Sequence, residues 1–119
     1  MKRVPFKIDS NRIKSISFKN TFTNYYEGSR YESGYIHGFG EMFCRSPEML
    51  PFDVTLEAIL FDKRGNICKT ATVTYDGVFR SSGYAAFEIT MDGITSDMVG
   101  RIKFVIIAKS PVLRGCSGS

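Results

Sequence analysis

The sequence predicts an all-β fold, an antiparallel β-sandwich of about seven strands. Three observations carry that reading. Ten Phe and six Tyr with no Trp, and few Ala and Leu, favour strands over a helical bundle. Several short segments alternate apolar and polar residues with a period of two, the pattern of a strand with one buried face. Between them recur Gly, Pro, Asn, Asp and Ser, which close turns for separate steric and hydrogen-bonding reasons. At 119 residues and 43% hydrophobic, the chain makes one domain that can bury a core without disulfide or metal support.

The clearest element is DVTLEAILFDKRG, residues 53–65. Val54, Leu56, Ala58 and Leu60 point one way, and Thr55, Glu57, Ile59 and Phe61 the other. Asp62-Lys63-Arg64-Gly65 then supplies a turn, because Asp bonds its own downstream amides and Gly accepts positive φ. Residues 66–73 return as the hairpin partner.

The other elements follow in order. Residues 1–12 form a basic arm or a short edge strand near Phe6 and Ile8, interrupted by Pro5. Ile16 and Phe18 face inward on the first full strand. Residues 21–35, rich in Asn, Gly, Ser and Tyr, form a long loop or a loose hairpin turning at Glu27-Gly28-Ser29. In residues 35–45, Tyr35, His37, Phe39, Glu41 and Phe43 oppose Ile36, Gly38, Gly40, Met42 and Cys44, with the glycines marking a bulge or a close backbone approach. Pro47 and Pro51 interrupt the sheet. Phe87, Ile89 and Met91 face inward on a strand over 85–91, residues 95–99 make a brief helical turn, and 101–108 is the last strand. Residues 13–110 thus make the sandwich and 111–119 a disordered tail. The expected core is Leu56, Leu60, Phe87, Ile89, Ile102, Phe104 and Ile106.

At residues 60–66, LFDKRGN, followed by Gly83-Tyr84-Ala85-Ala86-Phe87-Glu88-Ile89, the chain resembles the FxLYD family and related bacterial immunoglobulin-like domains. Those have a strand ending in an aliphatic-aromatic-Asp-x-x-Gly hairpin, then a glycine-started strand with an inward Phe. Ser82 stands where the pattern has proline, and the segment between Asn20 and Asp53 is longer than the pattern's. The resemblance implies an immunoglobulin-like sandwich acting as a non-catalytic accessory or interaction module, and it brings no site residues.

Catalytic and metal chemistry find little to build on. Cys44, Cys68 and Cys116 have no CxxC spacing and a single His for company, so no metal or cofactor is expected; Cys44 and Cys68 could face each other across the two sheets, but without an export signal reduced thiols are the favoured reading. His37 lacks a GxSxG or cysteine signature to activate and reads as a half-buried strand histidine. Glu41, Glu57 and Glu88 occur singly on strands, and the aspartates sit at turns without DxDxDG spacing. No run approaches the ~20 apolar residues of a membrane span. The location reads as cytoplasmic if Met1 is the native start and secreted if a signal peptide has been removed.

The reading is therefore a non-enzymatic module that binds a protein or a glycan. Phe22, Tyr25, Tyr26, Tyr31, Tyr35 and Phe39 lie in or beside a Gly/Asn/Ser-rich stretch of the kind that grips sugars or peptides. Tyr25, Tyr26, Arg30, Tyr31 and Tyr35 are the candidate contact residues. An alternative comes from charge: residues 1–30 carry seven Lys/Arg against two acids and 101–119 carry four and none, so the net +4 belongs to the ends. If first and last strands are neighbours, these ends merge into one basic patch for nucleic acid or another polyanion. Val105 and Ile107 further give the last strand a second apolar face, extended by Ile59 and Phe61. Either residues 21–35 or a second copy in a homodimer would cover it.

Overall fold

Pro5 divides the N-terminal segment between two sheets. The computed structural model describes residues 1–9, 16–45, 53–76 and 83–109. Its strands are β1 (Lys2–Arg3), β2 (Phe6–Asp9), β3 (Ile16–Tyr26), β4 (Gly34–Cys44), β5 (Asp53–Phe61), β6 (Ile67–Asp76), β7 (Tyr84–Ile94) and β8 (Arg101–Lys109), with a 3-10 turn at Ser96–Met98. The first sheet has the order β1-β3-β4-β7 and the second β2-β8-β5-β6. Pairings are antiparallel except β2 with β8, which is parallel. The Val4 amide donates to the Thr23 carbonyl of the first sheet at 2.9 Å, and the Pro5 carbonyl accepts from the Ile102 amide of the second at 2.9 Å. Having no N–H, Pro5 ends the first ladder and lets the chain cross. Of the two readings of the N-terminus, residues 1–9 follow the edge strand, and Val4 is buried where the chain changes sheet. The last strand thus has β2 as a neighbour, while β1 lies in the other sheet.

The apolar faces of both sheets share one core. Leu56, Leu60, Phe87, Ile89, Ile102, Phe104 and Ile106 are all buried in it. Phe104 is its hub: the rings of Phe6 and Phe87 meet it edge-on at 5.7 Å, and Phe18 stacks at 6.3 Å. Removing each large side chain from water contributes about 1.5–3 kcal/mol.

The β5–β6 turn follows its sequence chemistry. Asp62 Oδ1 accepts the Arg64 and Asn66 amides at 2.8 and 2.9 Å, and Gly65 takes φ +89°. These donors, Asn66 first, hold the Asp62 carboxyl below its usual range.

The 21–35 segment is more regular than its composition suggests. β3 runs on to Tyr26, only 27–33 form the hairpin loop, and Tyr26 stacks on Tyr35 at 4.8 Å across its base. A bulge lies on β3 between Lys19 and Phe22, where Asn20 takes φ +49°, whereas β4 keeps unbroken register with β7 through Gly38 and Gly40. Asn tolerates that conformation better than other side chains. Gly40 instead serves a close approach, since a Cβ there would fall 2.8 Å from the Phe87 ring.

Cys44 is buried and Cys68 partly so. Among the described residues no helix is long and apolar enough to cross a membrane. Pro47, Pro51, Cys116 and the 111–119 tail lie outside the described residues.

Candidate functional site

β3, β4 and β7 turn Ile16, Ile36, Met42, Phe87 and Met91 inward, and alternation, reset on β3 by the bulge at Asn20, sends the intervening residues to the other side of the first sheet, Asn24 among them although it is buried. Register sets them in cross-strand rows: Ser17–Phe43–Tyr84, Lys19–Glu41–Ala86, Phe22–Phe39–Glu88, Asn24–His37–Thr90 and Tyr26–Tyr35–Asp92. Seven large hydrophobic residues are exposed among the described residues, and four of them, Phe22, Tyr35, Phe39 and Tyr84, belong to this one surface at 36–40% exposure. Phe22 and Phe39 lie 5.5 Å apart, and the His37 ring tilts over Phe39 at 5.5 Å.

Ala86 is the only small side chain in its row, between the larger Tyr84 and Glu88 along β7, and the bulge at Asn20 displaces β3 opposite it. The result is an open depression of about 610 Å³, walled by Asn20, Phe22, His37, Phe39, Glu41 and Glu88 above Gly40 and Ala86. Glu41 accepts from the Asn20 side-chain amide and, at 2.8 Å, from the Tyr84 hydroxyl. Those bonds, with Asn20 the larger cause, hold its carboxyl below the usual range, and Glu41 in turn raises the Tyr84 phenol. Glu88 lies 3.5 Å from His37 Nε2. Arg3 and Lys19 frame the surface, stacked on Phe22 at 4.7 Å and on Phe43 at 5.2 Å.

The five tyrosine and arginine candidates divide. Tyr25 is corrected: at 4% exposure it is a core residue, because alternation from Thr23 turns it inward and its hydroxyl donates to the Ile94 carbonyl at 3.5 Å. Tyr26 and Tyr35 stack at the end of the aromatic surface. Arg30 and Tyr31 stand exposed on the hairpin loop, where the Ser29 hydroxyl accepts the Tyr31 and Glu32 amides at 3.2 Å. They border a separate hollow beneath the loop, away from the Phe39 depression. The sequence reading named Phe22 and Phe39 but missed Asn20, Glu41, Phe43, Tyr84 and Glu88. The alternation of residues 35–45 had already placed Glu41 and Phe43 beside Phe39.

His37 has a carboxylate beside it, but its row neighbours are Asn24 and Thr90, and no serine or cysteine shares that row to be activated. Among the described residues no three His, Cys, Asp or Glu gather as metal ligands. The arrangement can stack rings and accept hydrogen bonds. Compared with known proteins, the chain matches no family model, no curated protein and no solved structure.

The basic ends meet in part, through β2 and β8: Lys7 and Lys103 are register partners on the outer surface of the second sheet. Lys103 pairs with Asp9 at 3.7 Å, and Arg101 stacks on Phe61 at 4.8 Å. Lys2 and Arg3 belong to the first sheet, so the basic residues divide between two surfaces.

Proposed function

We propose that this protein is a non-catalytic binding module whose contact surface is the outer face of the first sheet. The observation that supports this is the gathering of Phe22, Tyr35, Phe39 and Tyr84 on one exposed face, around a depression edged by carboxylates and an amide. Exposed aromatics rimmed by polar groups mark recognition surfaces, because rings offer contact area at small entropic cost and polar edges give orientation. A protein or a glycan meets such a face equally in kind. The test is a panel of neutral and charged oligosaccharides and peptides offered to wild type and to a Phe22→Ala, Phe39→Ala double variant. The expected result is a ligand bound by wild type and bound at least about tenfold more weakly by the folded double variant. Equal binding by both proteins sinks the proposal.

The polyanion reading has its own supporting feature in Lys7, Lys103 and Arg101 on the second sheet. Binding there falls steeply with salt and survives the aromatic substitutions.

A homodimer through β8 has less to support it. Residues 21–35 lie in the first sheet, so they do not cover the outer face of the second, which corrects that expectation. Register also places Val105 beside Glu57, Ile59 beside Lys103 and Phe61 beside Arg101. These interleaved charges break up the apolar area that a second copy would bury.

A further inference from the structure

Three phenylalanines on the outer face of the first sheet differ in what lies against them. Phe22 carries Arg3 and Phe43 carries Lys19, each within the reach at which a ring's negative face attracts a cation. Phe39, across from Phe22 and four residues from Phe43 along β4, has the His37 ring tilted against it and, among the described residues, no lysine or arginine over it. It has carboxylates instead, Glu88 directly across on β7 and Glu41 two residues along β4. The donors nearby are engaged, since the Asn20 amide and the Tyr84 hydroxyl both point at Glu41 and His37 Nε2 lies 3.5 Å from Glu88. The depression therefore offers an aromatic ring and acceptors, which suits a ligand that has donors and positive charge but no need of acceptors.

We propose that the Phe39 depression receives a lysine or arginine side chain of a partner protein, with its cationic head between Glu41 and Glu88 and its aliphatic stem along the Phe39 ring. Ammonium and guanidinium groups are donor-only, form charge-assisted bonds to carboxylates, and carry methylene stems that pack on apolar surface. A sugar hydroxyl would need donors from the wall as well as acceptors. The proposal rests on the preceding reading that this face is the contact surface, and narrows it to a basic protein segment.

The test uses a short peptide alternating glycine and lysine, the same peptide with every lysine acetylated, and a neutral oligosaccharide, each titrated into the full chain by calorimetry. The lysine peptide binds and the acetylated one does not. Phe39→Ala and a Glu41→Gln, Glu88→Gln double variant each weaken it at least about tenfold, while Lys7→Gln leaves it unchanged. Since the Gln variants preserve shape, circular dichroism on them separates loss of charge from loss of fold. Absence of lysine-peptide binding, equal binding of the acetylated peptide, or indifference to both variants overturns the proposal. If the oligosaccharide binds through Phe39 and the lysine peptide does not, the contact surface stands and the cation site falls; if nothing binds there, both fall.

Discussion

The Tyr84 hydroxyl donates to Glu41 at 2.8 Å, joining β7 to β4 across the wall of the depression. Tyr84→Phe removes that donor and leaves the Asn20 amide, so the Glu41 carboxyl moves up toward its ordinary range without fully reaching it. Because the folded-state value is depressed, the bond contributes stability fully present above the unfolded carboxylate value and lost as pH falls through the folded one. Tyr84→Phe should accordingly shrink the acid-side loss of stability. Side-chain carbonyl NMR across the acid range checks this; an unchanged or lowered Glu41 titration contradicts it.

Phe104 should be the costliest single truncation. It is 1% exposed and meets three other rings. Phe104→Ala is expected to cost about 3–5 kcal/mol in urea unfolding, from lost transfer energy plus the cavity left behind. A cost under about 1 kcal/mol would mean that the ring is not at the core.

Gly40 and Gly65 resist substitution for different reasons. At Gly40 the new methyl runs into the Phe87 ring, so Gly40→Ala is expected to cost about 1–3 kcal/mol through overpacking and to disturb the floor of the depression. At Gly65 the space is open but φ is +89°, so Gly65→Ala is expected to cost about 1 kcal/mol and leave the binding face untouched. Thermal unfolding alongside the ligand panel separates them. Binding lost in the Gly65 variant alone would reverse the assignment.

The interleaving of Glu57, Lys103 and Arg101 among Ile59, Phe61 and Val105 leads to the expectation of a monomer in sedimentation. A wild-type dimer that becomes a folded monomer on Val105→Lys, Ile107→Glu substitution would locate an interface on β8 and contradict that expectation.

Much of the fold was legible because alternation alone fixes which way Val54, Leu56, Phe87, Ile102 and Phe104 point once one face is apolar throughout. The Asp62–Gly65 turn was legible because its chemistry is local. The course of β3 beyond Phe18 was not, because the bulge at Asn20 shifts the alternation midway and turns Tyr25 inward. The depression depends on long-range register: Glu88 faces Phe39, and Tyr84 reaches Glu41, only after β7 pairs with β4. Nothing local in the sequence specifies that pairing. Val105 and Ile107 look like one apolar patch in the sequence because Glu57 on β5 comes beside Val105 only through the same kind of register.

The most direct test of the binding face is an amide chemical-shift titration of the folded chain with the tightest ligand from the peptide and oligosaccharide panel. The largest shifts are expected on β3, β4 and β7 around Phe22, Phe39, Glu41 and Glu88. Shifts concentrated instead around Lys7, Arg101 and Lys103 on the second sheet, with the Phe39 region silent, would contradict it.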